Sequence, residues 1–97
     1  MRTFEMPFQT TRGALDVVLK SFGFQPAYAK NEFDLPVVSY RHPTGALVAL
    51  RDLPAEEPLS PSDFLSAEHS VEWWGISDRE TFYKSLRDVT QDSARAA

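Results

Sequence analysis

The stretch from residue 37 to residue 51 constrains the fold of this chain more than any other segment. It contains two β-prone runs joined by Pro43-Thr44-Gly45. Proline has a φ angle that suits the first turn position, and glycine adopts the left-handed conformation that a bulged three-residue loop needs at its end. The stretch therefore predicts an antiparallel hairpin with strands over 35–42 and 46–51.

The predicted loop also sets the pairing of the two strands. The residues of the largely apolar face pair as His42 with Ala46, Tyr40 with Val48, and Val38 with Leu50. The opposite face carries Val37, Ser39, Arg41, Leu47, Ala49 and Arg51. Because side chains alternate along a strand, a shift of one residue would exchange the two faces. The first set is predicted to face the core.

The other elements follow from apolar spacing and from capping residues. Gly23 and Gly75 are helix stops, and Pro61 suits the first turn of a helix that starts after Ser60. The predicted elements are a helix over 11–22, a strand over 24–30, a helix from Ser60 to Trp74 whose apolar stripe includes Trp74, and a helix over 78–89. This order favours an α+β fold of two layers, α-β-β-β-α with an extra C-terminal helix, in which the helices cover one face of a three-stranded antiparallel sheet.

The domain limits follow from the same pattern. Residues 1–89 are predicted to form a single domain. Residues 1–9 alternate Phe4, Met6 and Phe8 with other residues, which is typical of an edge strand or of an arm packed on the domain. Residues 90–97 are small and polar and are predicted to form a frayed tail.

Composition excludes several classes of protein. The chain has 97 residues, a net charge of −4 and no cysteine, so disulfide frameworks and thiolate zinc sites are excluded. No apolar run reaches the ~20 residues of a membrane span, and the first residues lack the apolar core of a signal peptide. We therefore expect a cytoplasmic protein without a membrane association or a cofactor. The ten basic residues are scattered, which disfavours nucleic-acid binding as the main role.

Two short motifs resemble a known family. Ser21-Phe22-Gly23-Phe24 ends the first helix, and Tyr40-Arg41-His42-Pro43-Thr44-Gly45 forms the hairpin turn. Together with the capped helix that follows, they make residues 11–75 similar to the HicA (YcfA-like) toxins. The resemblance implies a double-stranded-RNA-binding-like fold and a small ribonuclease that is paired with an antitoxin.

The position that the family uses for catalysis differs here. The resemblance aligns the family's catalytic histidine with Val37, and Leu35-Pro36 replaces a small pair of residues before it. Valine neither accepts nor donates a proton, so general acid–base catalysis is impossible at that position. The expectation is a HicA-like fold without ribonuclease activity.

Candidate binding residues lie on the outer face of the predicted sheet and on the second helix. Lys30, Arg41 and Arg51 are predicted to form a small basic patch for phosphate or carboxylate groups. Three apolar residues on the outer face and one tryptophan are predicted to form a partner surface: Val37, Leu47, Ala49 and Trp73. Alternatively, an N-terminal arm covers the sheet or the sheet is simply part-exposed, and Trp73 lies in the core or at a seam between the last two helices.

The two histidines carry weaker hypotheses. His42 could contact a phosphate, but its position predicts a half-buried residue at the end of the hairpin. Glu68, His69 and Glu72 have helical spacing, yet they lack a fourth ligand for zinc and are predicted to form a solvated helix face. No metal site is predicted.

Three functions remain open at this point. The first is protein–protein interaction, either as a homodimer or in a toxin–antitoxin-like pair. The second is RNA binding, or a degenerate mRNA-cleaving toxin, that uses the basic patch. The third is a small-molecule or enzymatic domain with a deep pocket around His42 or His69.

Overall fold

The predicted α+β fold is confirmed. A computed structural model describes residues 6–96, with side chains placed for residues 6–92. Three helices and one three-stranded antiparallel sheet follow one another along the chain. In order they are α1 (Arg12–Ser21), β1 (Gln25–Lys30), β2 (Pro36–Arg41), β3 (Leu47–Arg51), α2 (Pro61–Trp73) and α3 (Arg79–Ala96).

The hairpin has the pairing that the sequence predicts. Tyr40 lies opposite Val48, and Val38 lies opposite Leu50. Gly45 has a φ of 102°, and its amide donates to the carbonyl of His42 at 2.9 Å. The amide of His42 in turn donates to the carbonyl of Ala46 at 3.0 Å, which closes the three-residue loop. The turn residues therefore determine the register of the sheet.

One face of the sheet packs against the helices and forms the core. Burial alternates along β2 and β3, and the buried set includes Val38, Tyr40, Val48 and Leu50. The largest fully buried side chains come from the residue before β1, from the sheet and from all three helices: Phe24, Phe64, Phe82, Leu15, Leu19, Leu86, Val18, Val38, Val48 and Val71. Because the buried residues of β2 and β3 alternate with exposed or half-buried ones, the outer face of the sheet stays outside the core.

Helix α1 begins and ends one residue inside the predicted range 11–22, because Thr11 and Phe22 are its flanking cap residues. The hydroxyl of Thr11 accepts from the amide of Ala14 at 3.3 Å, which caps the start. Gly23 has a φ of 97°, and the amide of Phe24 donates to the carbonyl of Leu19 at 3.0 Å. This is the Schellman ending that the Gly-Phe pair predicts.

Helices α2 and α3 have capping residues at their starts. The hydroxyl of Ser60 accepts from the amide of Asp63 at 3.1 Å and caps α2. At α3 the cap is Asp78, whose carboxylate accepts from the amide of Thr81 at 2.7 Å. That hydrogen bond is the main reason why the pKa of Asp78 lies below its usual value.

The segment before α1 packs on the helical layer. Residues 6–9 contain no strand, so the described part of the 1–9 segment is an arm and not an edge strand. The ring of Phe8 meets Phe64 of α2 edge-on at a centroid distance of 6.4 Å, and the guanidinium of Arg87 lies 5.3 Å from its centroid. The arm residue Phe8 therefore does not cover the outer face of the sheet. Phe4 and the rest of 1–5 lie outside the described residues.

Helix α3 continues past residue 89, where the sequence pattern ended it. The hydroxyl of Thr90 donates to the carbonyl of Leu86 at 2.6 Å and lies 2.7 Å from the hydroxyl of Thr10. This contact between hydroxyl groups 80 residues apart in sequence joins α3 to the segment before α1. A small polar residue thus gains a tertiary partner that its local sequence does not indicate. Residue 97, the end of the predicted tail, lies outside the described residues.

Candidate functional site

The outer face of the sheet is the most regular exposed surface among the described residues, and we call it the open sheet face. The pairings arrange its nine residues in three rows across β1, β2 and β3. The rows are Gln25, Arg41 and Leu47; Ala27, Ser39 and Ala49; and Ala29, Val37 and Arg51. Six of these residues were identified from the hairpin alone, and the pairing of β1 with β2 adds the three others.

The chemical character of the open sheet face differs from that of the whole chain. Seven of its side chains are exposed, and Val37 and Ser39 are half-buried. Its centre consists of small residues, and its nine positions include two arginines and no acidic residue. The chain as a whole has a net charge of −4. The face is therefore flat, partly apolar and locally basic.

The three basic candidates do not form one cluster. Arg41 and Arg51 both lie on the open sheet face, but at opposite ends of the β2–β3 pairing, which separates them by about 14 Å at the usual rise per residue. Lys30 pairs with Pro36 and so belongs to the other face. Its amine lies 3.4 Å from the carboxylate of Asp34. The prediction that Lys30 shares a basic patch with Arg41 and Arg51 was wrong. The sequence did not show which side chains of β1 point to which face of the sheet.

Val37, Leu47 and Ala49 are brought to the open sheet face together, one in each row. Leu47 is 53% exposed, so it is the largest apolar side chain available there. Ala27 and Ala29 of β1 continue this surface and were missed by the sequence analysis. The signal that could have found them is the alternation of Gln25, Ala27 and Ala29 along β1.

The open sheet face continues at one end toward Trp74. The hydroxyl of Ser70 donates to the carbonyl of Leu47 at 3.4 Å, which places the end of α2 beside β3. A methyl group added at Gly45 would lie 3.5 Å from the ring of Trp74. Trp74 was predicted to be a core residue, but it is 46% exposed because the chain turns away at the end of α2. An aromatic ring thus flanks the hairpin end of the face.

Trp73 lies on a different surface from the sheet residues. It is 75% exposed and does not form the predicted alternative of a seam between α2 and α3. Its ring stacks on His69, with centroids 6.2 Å apart and planes 19° from parallel. It lines a shallow groove together with Glu68, Glu72 and Arg79. The four predicted partner residues therefore divide into two separate surfaces.

Glu68 is not part of a solvated helix face, as the sequence analysis expected. It is only 7% exposed, and the guanidinium Nε of Arg79 lies 3.2 Å from its carboxylate. Burial and a hydrogen bond with Glu72 raise the pKa of Glu68, while Arg79 opposes that shift. The expectation failed because it did not include the packing of α3 against α2.

We expect the stability of this protein to depend on pH through Glu68. Because its pKa is raised in the folded state, the folded chain binds this proton more tightly than the unfolded chain does. As the pH falls from 7 toward the ordinary carboxyl value of 4.5, the wild type should gain stability relative to Glu68→Gln, which carries no titrating proton. Urea unfolding of both proteins at several pH values measures this difference.

The matched control for that measurement is Glu32→Gln, because Glu32 is exposed in the β1–β2 turn. A difference between wild type and Glu68→Gln that is constant from pH 7 to 4.5 would contradict the assignment.

His42 joins the hairpin to the end of α1. One ring nitrogen, Nδ1, lies 2.9 Å from the hydroxyl of Thr44, and the other, Nε2, lies 3.0 Å from the carbonyl of Phe22. Its ring is 5.0 Å from that of Phe24, centroid to centroid. Both nitrogens are thus engaged in local structure. This confirms the prediction of a half-buried residue at the hairpin end.

The described residues, 6–96, contain neither a ready-made metal site nor a membrane-spanning helix. Within this range, no group of three or more histidine, aspartate or glutamate side chains is placed to hold a metal ion. None of the helices found there combines the length and the apolarity that crossing a membrane requires.

Comparison with known proteins returns no match to protein-family models, to curated proteins or to solved structures. Function must therefore be argued from the surface itself.

Proposed function

We propose that this protein is a small non-catalytic protein-interaction domain that binds a partner through the open sheet face. The observation that carries the proposal is that this face is uncovered by the described residues, consists mainly of small and apolar side chains and has two arginines but no acidic residue. An uncovered apolar surface in a folded domain often marks a binding site. Arginine and large apolar side chains are the groups that protein interfaces favour.

The open sheet face is too small to form a stable interface by itself, so the partner must also contact the surface around it. Three strands over five residues cover roughly 240 Å² at the usual strand spacing and rise. A stable interface buries about 800 Å² on each partner. Trp74 at the hairpin end, together with the loops that flank the sheet, supplies the neighbouring surface. Tryptophan is frequent among the residues that dominate binding energy.

The charges favour a different protein over a second copy of this chain. Two identical faces brought together would place four arginines in one interface without a carboxylate from either sheet. A partner with acidic side chains around an apolar centre would instead pair with Arg41 and Arg51. We therefore favour a heteromeric complex over the homodimer.

The resemblance to the HicA toxins is part of this proposal. Val37, which aligns with the catalytic histidine of that family, lies in the last row of the open sheet face beside Arg51. Without a proton-transferring group there, the family's chemistry is not available at that position. We propose that the chain has the role of one member of a toxin–antitoxin-like pair without ribonuclease activity.

The test compares capture of partners by variants with matched charge changes. Ala49→Glu introduces one negative charge at β3 in the middle row of the face, and Ser66→Glu introduces the same charge on the exposed side of α2. The tagged chain is used to isolate a partner from its native host, and the purified partner is then titrated by calorimetry. Affinity should fall at least about tenfold for Ala49→Glu and remain unchanged for Ser66→Glu. Equal affinity for the two variants would contradict the proposal.

RNA binding is the competing outcome of the same test. Arg41 and Arg51 would then contact phosphates, and binding would weaken steeply with salt. Labelled RNA is titrated with the pure protein at two salt concentrations, with Arg41→Glu as the variant. Salt-sensitive binding that Arg41→Glu abolishes, or RNA cleavage lost through one substitution on the sheet, would replace the protein-interaction proposal.

A further inference from the structure

Arg12 is a buried arginine at the first position of α1. It is 5% exposed, although arginine is among the residues least often buried. Its place three residues before Leu15 puts it on the apolar face of the helix, which is the sequence signal for its burial. Neither the open sheet face nor the two motifs that carry the resemblance include this residue.

The guanidinium of Arg12 is only partly satisfied by the protein. Its Nη2 donates to the carbonyl of Arg51. Its Nε is buried and has no hydrogen-bond partner among the described residues. None of the ion pairs formed by residues 6–92 includes Arg12. A buried charge is normally paired, because an unpaired one loses its solvation without compensation.

Arg12 lines a cavity of about 180 Å³ between the start of α1, the sheet and the loop after β3. The cavity is larger than one water molecule needs and smaller than the ~300–1,000 Å³ of pockets for drug-sized ligands. It lies on the helix side of the sheet, opposite the open sheet face. Its lining also includes Gly13, Asp16, Tyr28, Tyr40 and Asp52.

The backbone at the start of α1 is not available to a ligand. The amides of Arg12 and Gly13 donate to the carbonyls of Glu57 and Ala55, both at 2.9 Å. The guanidinium is therefore the group of this helix start that could receive an anion. A carboxylate suits it, because a hydrogen bond from a charged guanidinium to a carboxylate oxygen is roughly twice as strong as one between neutral groups.

The two carboxylates that line the cavity differ in their hydrogen bonds and ion pairs. Asp16 accepts from the hydroxyl of Tyr40 at 2.6 Å and pairs with the amine of Lys20 at 2.9 Å. Asp52 is exposed and takes part in no ion pair among the described residues. A ligand with several negative charges would be repelled by Asp52, whereas a positive group on the ligand would be attracted to it.

We infer that this cavity binds a small zwitterion of the α-amino-acid class, with its carboxylate on Arg12 and its ammonium group toward Asp52. The exposed ring of Tyr28 flanks the cavity and adds an aromatic wall beside the ligand. The inference is independent of the proposed protein partner, because it concerns the opposite side of the sheet.

The test is an NMR titration of the full chain with four probes: L-alanine, acetate, methylammonium and inorganic phosphate. L-Alanine should cause saturable shifts of the amides of Gly13, Asp16 and Tyr28, and acetate should cause weaker ones. Asp52→Asn should weaken L-alanine binding about fivefold, the scale of an exposed ion pair, and leave acetate binding unchanged. Lys84→Gln, which removes a positive charge on the exposed side of α3, should change neither affinity.

Arg12→Gln should abolish binding of both L-alanine and acetate. If that variant fails to fold, since Arg12 also bonds β3, the comparison of Asp52→Asn with wild type decides the question. The inference is overturned if L-alanine gives no saturable shift, if phosphate binds more tightly than L-alanine, or if Asp52→Asn binds L-alanine as well as the wild type does.

Discussion

Replacing Phe64 with alanine should lower the free energy of unfolding by about 3–5 kcal/mol. Phe64 is fully buried on α2, and its ring centroid lies 6.4 Å from Phe8, 6.0 Å from Phe82 and 5.2 Å from Tyr83. It thus joins the N-terminal arm, α2 and α3 in one aromatic cluster. Truncation removes the buried area of the ring and leaves a cavity that these rigid neighbours fill poorly.

The loss is large compared with the stability of a domain of this size. Small domains are stable by only about 5–15 kcal/mol, so Phe64→Ala should unfold at a much lower urea concentration. Leu65→Ala is the matched control, because Leu65 is the next residue of the same helix and is exposed. We expect the control to change stability by no more than ~0.5 kcal/mol. A similar small change for Phe64→Ala would show that the aromatic cluster does not hold the helical layer.

Replacing Gly23 with alanine should lower the free energy of unfolding by about 2 kcal/mol. Gly23 ends α1 with a φ of 97°, a conformation that costs a residue with a side chain roughly 1–2 kcal/mol. The added methyl carbon would also lie 3.2 Å from Nε2 of His42, the atom that contacts the carbonyl of Phe22. The substitution therefore strains the helix end and disturbs the contact between α1 and the hairpin. Urea unfolding followed by circular dichroism measures the loss.

Gly75→Ala separates the two causes. Gly75 also has a positive φ, of 69°, but an added methyl carbon there would meet no atom within 4 Å. We expect Gly75→Ala to lower the free energy of unfolding by about 1 kcal/mol, because only the backbone conformation is unfavourable there. Equal losses at the two glycines would show that the contact with His42 contributes nothing, and a neutral Gly23→Ala would contradict the role of this helix end.

The hairpin could be predicted from the sequence because its information is local. Pro43 and Gly45 impose the turn, the turn imposes the pairing, and alternation then assigns each residue to a face. The same local logic predicted the Schellman ending at Gly23. The part of the open sheet face that β2 and β3 contribute, with Val37, Leu47 and Ala49, could therefore be predicted from the hairpin alone.

The face on which Lys30 lies could not be predicted from the sequence. Its face depends on how β1 pairs with β2, and the connection between them carries weaker turn signals than Pro43-Thr44-Gly45. In the structure, Asn31 accepts from the amides of Phe33 and Leu35 and organises that turn. The resulting register puts Lys30 opposite Pro36, on the face away from Arg41.

By itself, the sequence determined the order of the elements, the hairpin register and the two faces of its strands, because these depend on neighbouring residues and on a period of two. The rotation of each helix about its axis was decided by the tertiary structure. Contacts between distant segments bury Glu68 under α3, leave Trp74 exposed beside Gly45, and hold Arg12 against the carbonyl of Arg51. Such contacts depend on how whole layers pack, and the spacing within one helix does not contain that information.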